Sequence, residues 1–388
     1  MDRLWTKPFI TMTLGMLLLF TGFYLLLPTM PLFIKQLGGT ESQVGLVAGV
    51  FTLTAVIFRP LVGGLVDRYG RRPFILWGLV LFSLSMYLYD WVGGIAALIA
   101  LRLLHGMSWA FSTTAVGTAI TDIIPASRRG EGMGWYGLAM TVAMAIGPMA
   151  GLWVLSSGSY HGLFLTAVCF SVAALVLTFF ARTPFQRKAE VRRIQLFDRS
   201  LTSITTAIFF LAVSYGGITT FLPLFAQSIK VNSGTFFLVY AITLTLTRPV
   251  AGKLSDRFGE ATVIIPALLV TIAALTALSL SGGLSGILLS GILFGLGFGS
   301  AQPALQAAAL RLTGPEQRGI ANASVMTAFD LGIGLGSIVL GWVSQYTGYP
   351  MLFVVSAGSV AVSMILFAVL VKRRLAREAQ PLAVNTAK

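Results

Sequence analysis

Asp330, Arg102 and His105 lie inside long apolar stretches of the chain, where a charge is costly. Asp330 is the only one of the thirteen acidic residues that falls deep within such a stretch, and Arg102 and His105 lie within another. An apolar environment penalises the charged form of a carboxyl group, so an acid there can take up and release a proton near neutral pH. These residue types predict proton transfer, with Asp330 as the proton carrier and Arg102 and His105 as assisting groups.

Each of these residues also has a structural interpretation. Asp330 is followed by glycines at alternate positions, and it can equally hydrogen-bond to a neighbouring helix, pair with a buried base or contact a substrate. Arg102 can be a structural charge held by backbone carbonyls, because a guanidinium at such a depth costs about 3 kcal/mol or more and needs a partner. His105 can be a hydrogen-bonded helix residue that does not titrate. The residue types alone leave these alternatives open.

The elements that hold these residues are predicted to be transmembrane helices. The chain of 388 residues is 56% hydrophobic and 10% charged, whereas a soluble domain has about 25% charged residues. The apolar runs are continuous rather than alternating, which excludes a membrane β-barrel. Twelve runs have the length of about 20 residues that a spanning helix needs, at 8–30, 44–66, 74–90, 95–121, 132–156, 162–182, 201–226, 234–252, 262–281, 284–310, 319–344 and 350–371. We therefore predict an all-α integral membrane protein with 12 transmembrane helices.

The distribution of basic residues predicts the orientation of these helices. Of the 27 Lys and Arg residues, 22 fall at the termini and in alternate loops, and the opposite loops hold only Lys35 and Lys230. This pattern follows the positive-inside rule, so we expect a multi-pass protein of the cell membrane with both termini in the cytoplasm. The net charge of +14 then reflects topology rather than binding to nucleic acid.

The sequence offers nothing that predicts enzymatic chemistry. It has no nucleophile–base set, no glycine-rich phosphate loop and no cluster of metal-binding residues. The single cysteine, Cys169, excludes an intrachain disulfide and a metal site built from cysteines. We expect neither a metal nor a cofactor.

A twelve-residue loop sequence occurs twice and divides the chain into two halves. The stretch from Arg59 to Gly70 recurs from Arg248 to Gly259, with seven identical residues and no gap. Each copy lies between two apolar runs, which indicates an internal duplication. We predict an N-terminal six-helix bundle at 1–182, a cytoplasmic linker at 183–200, a C-terminal six-helix bundle at 201–371 and a cytoplasmic tail at 372–388.

These features resemble those of the major facilitator superfamily, from about Pro8 to Val371, and within it the twelve-span drug–proton antiporters. The first loop matches the family signature G-x-L-x-D-R-x-G-R-[RK] at Gly63, Leu65, Asp67, Arg68, Gly70, Arg71 and Arg72. The second copy keeps Asp256 and Arg257 but has Glu260 and Ala261 in place of the basic pair. The resemblance implies that this network closes the cytoplasmic side in the outward-facing state; alternatively, the charges only set the topology.

Two further motifs are similar to those of the antiporters. The stretch from Arg102 to Gly106 resembles the motif R-x-x-x-G, whose arginine is linked to proton handling in that family. The pattern G-x8-G-x3-G-P-x2-G-G is matched at Gly134, Gly147, Pro148 and Gly151, with Ala143 and Leu152 replacing two of its glycines. This pattern implies export rather than import, and its alternative meaning is ordinary close packing of helices.

In this superfamily, spans one, four, seven and ten line the substrate cavity. The candidate substrate-binding residues on those spans are Phe20, Tyr24, Trp109, Ser112, Thr113, Tyr215, Phe298, Gln302 and Gln306. Aromatic rings with scattered hydroxyls and amides suit an amphipathic organic molecule, although a ring on a spanning helix can also face lipid.

The resemblance thus implies a proton-coupled exporter (an antiporter) of amphipathic organic compounds or drugs that works by alternating access. Its expected partners are a small-molecule substrate, protons and membrane lipids, with no nucleic acid, and it is expected to act as a monomer. Two alternatives remain open. One is a symporter or facilitator for a small metabolite, and the other is a non-transporting membrane receptor or lipid-binding protein.

Overall fold

The chain forms long helices joined by short turns. The computed structural model describes residues 3–181, 201–313, 318–372 and 374–375. The helices are α1 (Lys7–Leu26), α2 (Met30–Gln36), α3 (Glu41–Tyr69), α4 (Arg71–Leu88), α5 (Ile95–Ile123), α6 (Arg129–Ser157), α7 (Tyr160–Phe179), α8 (Thr202–Ser228), α9 (Ser233–Phe258), α10 (Glu260–Ser279), α11 (Leu284–Arg311), α12 (Arg318–Thr347) and α13 (Tyr349–Leu366). In this described part, twelve helical segments have the length and hydropathy of membrane spans. The predicted all-α membrane architecture is confirmed.

The first span is a bent helix made of α1 and α2. Pro28 has no N–H group to donate to the carbonyl of Tyr24, and the N–H of Leu27 donates to that carbonyl instead, at 3.3 Å. Pro31 lies at the start of α2, where its fixed φ angle suits a helix N-terminus. The proline-rich sequence therefore bends the span close to its end.

The helices cluster into two compact units, unit 1 at Met1–Ile194 and unit 2 at Gln195–Lys388. Within unit 1, α5 packs against α3 and α4, and α1 packs against α6 and α7. Within unit 2, α11 packs against α9 and α10, and α8 packs against α12 and α13. The linker predicted at 183–200 lies outside the described residues, and the predicted domain boundaries remain a prediction.

The duplication extends well beyond the repeated loop. We call the shift in numbering that takes Gly70 to Gly259 the repeat offset. The same shift takes the first residues of α4, α5, α6 and α7 to those of α10, α11, α12 and α13, respectively. Positions related by the repeat offset can therefore be compared between the units without gaps over this whole region. This correspondence identifies which side chains the two units share and which they do not.

The prediction that the repeated stretch, named above the repeated loop, is a loop is wrong: Arg59 to Tyr69 form the end of α3 and Arg248 to Phe258 the end of α9. Only the glycine that ends each copy is not helical. Gly70 has a φ angle of 97° and Gly259 one of 87°, a region that side chains other than glycine rarely adopt. The N–H groups of these glycines donate to the carbonyls of Val66 and Ser255. Each glycine thereby closes one helix, and the next helix begins at the following residue.

Candidate functional site

Arg102 and His105 form a buried basic pair on α5. The guanidinium carbon of Arg102 lies 5.4 Å from the ring centroids of both Phe51 and Tyr89. The Nδ1 atom of His105 lies 2.7 Å from the hydroxyl oxygen of Tyr89, and His105 has no exposed surface. Within the described part of the chain, Arg102 Nε and His105 Nε2 have no hydrogen-bond partner. The charge of Arg102 therefore lies between two aromatic faces, which attract a cation.

Gly106, the last residue of the motif that begins at Arg102, lies where α5 packs closely against α3. A Cβ atom at this position would overlap the backbone carbonyl of Phe51 and approach Thr54 Cβ to 2.9 Å. Only a glycine lets α3 and α5 approach so closely. This close approach, one turn away from Arg102, brings the ring of Phe51 over the guanidinium.

The basic pair lies at membrane depth. Arg102 is seven residues after the first residue of α5, which corresponds to about 10 Å along the helix axis. His105 is ten residues after that first residue, or about 15 Å. Since the hydrocarbon core is about 30 Å thick, His105 lies close to mid-span.

Aromatic rings surround this pair and form a contiguous cluster. The members of the unit 1 ring cluster are Phe20, Phe23, Phe51, Phe82, Tyr89 and Trp109. The ring of Trp109 stacks on Phe23 at 4.3 Å and meets Phe20 edge-on at 4.8 Å. The imidazole of His105 lies 4.7 Å from the Phe51 ring and 4.8 Å from the Phe82 ring. Two predicted substrate-binding residues, Phe20 and Trp109, thus lie together, and Tyr24 contacts Phe20 at 6.0 Å.

The two predicted hydroxyl groups on α5 donate to carbonyls of their own helix. The Ser112 hydroxyl donates to the carbonyl of Ser108 at 2.8 Å, and the Thr113 hydroxyl donates to that of Trp109 at 2.7 Å. Ser112 is fully buried and packs against Gly78 of α4. Both donors are therefore used within α5, and binding by these residues remains a prediction.

Unit 2 contains a second set of stacked rings. The members of the unit 2 ring cluster are Tyr215, Phe294, Phe298 and Phe329. Tyr215 and Phe298 stack at 4.9 Å with an interplanar angle of 11°, and Phe294 stacks on Phe298 at 5.2 Å. Phe329 of α12 lies 5.9 Å from Tyr215. The predicted residues Tyr215 and Phe298 are thus direct neighbours.

A chain of amide groups links α11 to α12. Gln302 Nε2 is 3.5 Å from Gln306 Oε1, and Gln306 Nε2 donates to Asn322 Oδ1 at 2.8 Å. Both glutamines are half-buried and Asn322 is exposed. Asn322 is a residue that sequence reasoning missed; its position within hydrogen-bonding reach of α11 becomes visible only in the folded unit.

Asp330 lies on α12, next to Phe329 of the unit 2 ring cluster. It is twelve residues after the first residue of the helix, or about 18 Å along its axis, and its side chain is neither fully buried nor exposed. A Cβ atom at Gly332 would overlap the backbone carbonyl of Phe209, and one at Gly336 would lie 2.9 Å from Val213 Cα. The glycines after Asp330 therefore allow α12 to pack closely against α8.

The ionisable residues of the candidate site are not duplicated. At the repeat offset, Arg102 corresponds to Gly291, and His105 and Trp109 correspond to Phe294 and Phe298. Asp330 corresponds to Thr141. Both units contain aromatic rings at these positions, whereas the Arg102–His105 pair occurs only in unit 1 and Asp330 only in unit 2; another base inside a span, Arg59, does have a counterpart, Arg248.

The first copy of the repeated loop is held by Arg71. This arginine is buried, and its Nε donates to Asp122 Oδ2 at 2.8 Å. A second guanidinium nitrogen lies 3.4 Å from Asp67 Oδ1, and the third donates to the carbonyl of Val66 at 3.2 Å. Asp122, at the end of α5, was not predicted. Arg71 therefore ties the loop to the ends of α3 and α5.

The other predicted loop residues have different neighbours. Arg68 lies over the ring of Tyr69 at 5.2 Å, whereas Arg72 donates to the carbonyl of Phe179 at 3.3 Å. Among the described residues, no side chain or neighbouring helix comes within 4 Å of the position that a Cβ atom of Gly63 would take. In unit 2, Arg257 lies over the ring of Phe258 at 5.1 Å, and the side chain of Asp256 lies outside the described part.

An ion pair in unit 2 matches the Arg71–Asp122 pair with the charges reversed. Arg311 donates to the two carboxylate oxygens of Glu260 at 3.0 and 2.9 Å. The repeat offset takes Arg71 to Glu260 and Asp122 to Arg311. The second loop has thus lost the arginine but kept an ion pair between the same two helices.

The residues that match the antiporter motif contact the bend of the first span. A Cβ atom at Gly147 would overlap Tyr24, and one at Gly151 would overlap the backbone carbonyl of Leu25. Pro148 is buried between them, within α6. Gly134 has no atom within 4 Å of its Cβ position. Two of the predicted glycines thus allow close packing of α6 against α1, and the third does not contribute to it.

The family model of the Major Facilitator Superfamily matches residues 12–238 and 230–387 of the chain. The "Staphylopine export protein" of Staphylococcus aureus is 25% identical over 382 residues, which cover 92% of this chain and 95% of that protein. "Multidrug resistance protein MdtG" of Salmonella arizonae is 27% identical over 401 residues, covering 96% and 98%. "Multidrug resistance protein 2" of Bacillus subtilis is 27% identical over 367 residues, covering 89% and 91%.

Solved structures of transporters share the fold. A bacterial homolog of the human lysosomal transporter Spinster, in its inward-facing and occupied conformation, superposes with a TM-score of 0.76 at 17% identity, covering 98% of this chain and 97% of that one. The nucleoside transporter NupG superposes with a TM-score of 0.71 at 19% identity, covering 94% and 98%. Identities this low show a common fold and carry no information about the substrate.

Proposed function

This chain belongs to the major facilitator superfamily and is a multi-pass membrane transporter rather than an enzyme, and we propose that it is a proton-coupled exporter of amphipathic organic compounds. The proposed mechanism is alternating access, with exchange of protons for substrate. The basic ends of both units, with their Lys and Arg residues, would face the cytoplasm of the cell according to the positive-inside rule.

The observation that carries the proposal is the unequal placement of deep ionisable groups. Arg102 and His105 lie within the unit 1 ring cluster, and Asp330 follows Phe329, a member of the unit 2 ring cluster, in the sequence of α12. None of the three has an ionisable counterpart in the other unit. An ionisable residue within a membrane span is by default a functional one, and a carboxyl group at this depth suits reversible protonation. We assign Asp330 as the proton carrier, assisted by Arg102 and His105.

The energy available from protons is sufficient for export. A proton that moves inward across 100 mV releases about 2.3 kcal/mol, and each unit of pH difference adds about 1.4 kcal/mol. One proton exchanged per substrate can therefore support a concentration gradient of about tenfold or more.

Two features support export of amphipathic substrates in particular. The curated relatives named above are an export protein and multidrug resistance proteins. In unit 2, Phe298 of the ring cluster and the amides of Gln302 and Gln306 follow one another at intervals of four residues along α11, a combination that suits a molecule with apolar and polar parts. We assign Phe20, Tyr24, Trp109, Tyr215 and Phe298 as ring contacts of the substrate.

The repeated loop of unit 1 is the proposed cytoplasmic gate. The guanidinium of Arg71 binds both the backbone carbonyl of Val66 and the carboxylate of Asp67, while the Asp67 side chain remains 56% exposed. An exposed carboxylate at a helix end can interact with the positive N-terminus of another helix. In this proposal Arg71 positions Asp67, and Asp67 makes the contact that changes between the two conformations.

Everted membrane vesicles test direction and coupling together. With the vesicle interior acidified, the wild-type protein should accumulate amphipathic compounds inside, and accumulation should cease when the pH gradient is collapsed. Asp330→Asn should abolish accumulation, whereas Asp90→Asn, which alters a hydrogen bond with exposed His161 outside the ring clusters, should retain it. Accumulation only in right-side-out vesicles, or uptake independent of the pH gradient, would refute proton-coupled export.

A further inference from the structure

An apolar groove runs along the outside of unit 1 between α4 and α7. It has a volume of about 640 Å³. Its walls include Leu76, Trp77 and Val80 from α4, and Val176, Phe179 and Phe180 from the end of α7. Trp77 and Phe180 are among the most exposed large apolar side chains of the chain, at 65% and 74%. The groove is therefore open to the hydrocarbon that surrounds the protein.

Arg72 lies at the mouth of this groove. Its guanidinium donates one hydrogen bond to the carbonyl of Phe179 at 3.3 Å, and its carbon lies 5.6 Å from the ring of the same residue. Arg72 is exposed, and a guanidinium has five N–H donors, so donors remain available for a ligand. Among the described residues, no carboxylate lies within 4 Å of it, since Asp67 and Asp122 both pair with Arg71.

The positions of Arg72 and of the apolar walls match the two parts of a lipid molecule, with a charged headgroup at the membrane surface and an apolar chain below it. Arg72 is the second residue of α4, at the helix end that the basic residues mark as a membrane surface. Val80 is eight residues further along the helix, or about 12 Å deeper, which is within one half of a hydrocarbon core of about 30 Å. A headgroup at Arg72 and an acyl chain along Trp77 and Val80 would therefore both find matching surfaces.

We propose that this groove is a binding site for one anionic phospholipid, with the headgroup phosphate on Arg72 and an acyl chain against Trp77 and Phe179. The reason for an anionic lipid is charge complementarity, because a guanidinium binds phosphate oxygens through two parallel hydrogen bonds. Basic pockets of this kind at a membrane surface recognise anionic headgroups. This inference depends on the membrane-spanning fold and not on the proposed transport activity.

The second unit shows that the fold does not require these features. At the repeat offset, Arg72 corresponds to Ala261 and Trp77 to Pro266. Phe179 and Phe180 correspond to Ala368 and Val369. The same helices thus pack in unit 2 without the cation or the aromatic walls, and the combination is particular to unit 1.

Native mass spectrometry of the purified protein with added lipid tests the proposal. We expect one phosphatidylglycerol molecule to stay bound to the wild-type protein, and phosphatidylcholine to be retained more weakly. Arg72→Gln should lower the affinity for phosphatidylglycerol about fivefold, the effect of one basic residue near a membrane surface. Arg72→Lys should keep much of the binding because it keeps the charge.

Two matched variants separate this site from general attraction to the basic end of unit 1. Arg68→Gln removes an arginine that lies on Tyr69 and not at the groove, and it should leave the bound lipid in place. Val80→Trp fills the groove but keeps Arg72, and it should displace the lipid. The proposal is overturned if Arg72→Gln binds like the wild type, if both lipids bind equally, or if Val80→Trp instead abolishes a dimer of the protein.

Discussion

The reversed ion pair of unit 2 gives a prediction that can be tested by exchanging its charges. Glu260→Arg alone would place two guanidinium groups at the ends of α10 and α11, and Arg311→Asp alone would place two carboxylates there. The double variant restores an ion pair and gives unit 2 the charge order of the Arg71–Asp122 pair. We expect each single variant to be destabilised and the double variant to recover.

The geometry sets the size of the effect. With 2.9 Å between the charged atoms, Coulomb's law gives about 1.4 kcal/mol in water and about 5.7 kcal/mol at an effective dielectric constant of 20. The side chain of Arg311 is 53% exposed, while that of Glu260 is 12% exposed. Since exposed pairs contribute about 0–1 kcal/mol, the half-exposed pair should couple by about 1–2 kcal/mol.

A charge-reversal double-mutant cycle tests this coupling, and its interaction energy should be about 4–6 kcal/mol because each single variant both loses the attraction and gains a repulsion. The free energy of unfolding is determined in mixed micelles for the wild type, the two single variants and the double variant. Each single reversal should cost about 2–3 kcal/mol, because attraction is lost and a repulsion of similar size appears. If the double variant loses the sum of the two single losses, the two side chains are not coupled and the ion pair has no structural role.

Four further substitutions test the local structure through the same unfolding measurement. Gly151→Val should cost about 1–3 kcal/mol of stability, because the new side chain overlaps the backbone of α1. Its control, Gly134→Ala, has open space around it among the described residues and should gain up to about 1 kcal/mol from helix propensity. Equal effects of the two variants would contradict the assigned contact. Tyr89→Phe removes the hydroxyl that bonds His105 and should cost about 1–3 kcal/mol, and an unchanged stability would show that the bond is unimportant. Gly70→Ala should cost about 1–3 kcal/mol because of its positive φ, and a stabilised variant would contradict the turn geometry.

Strong local signals made much of the fold predictable from sequence. The continuous apolar runs predicted the twelve spans. In lipid, the backbone N–H and C=O groups must form hydrogen bonds within the protein, and apart from a closed β-barrel only a helix achieves this. A glycine recurs at the end of each copy of the repeated loop, and Gly70 and Gly259 both have the positive φ angle that a tight turn between two helices needs. The spans and the turns could be predicted because each is set by residues that are close together in the chain.

Partners that are distant in the chain were not predicted. Arg71 is the first residue of α4, and Asp122 is the next-to-last residue of α5. An arginine near a membrane surface has many potential acidic partners, so the sequence does not single out Asp122. Arg102 lies against two aromatic faces, a contact to which composition gives no guide. The hydroxyls of Ser112 and Thr113 bond within their own helix, since that acceptor is always within reach.

One missed pair was nevertheless visible in the sequence. Extending the repeat offset from the repeated loop to α5 and α11 pairs Asp122 with Arg311, and Arg71 with Glu260. The sign changes at both positions, so the two substitutions compensate each other. Comparing charges at every repeated position would have identified this ion pair before the structure.

The most direct test of proton-coupled export is proton movement driven by the substrate. Purified protein in liposomes that contain a pH-sensitive dye is exposed to an outward substrate gradient without an imposed pH difference. We expect protons to move in the direction opposite to the substrate, and Asp330→Asn to exchange substrate across the membrane without moving protons. Substrate flux through the wild-type protein with no accompanying change of internal pH would rule out proton-coupled export.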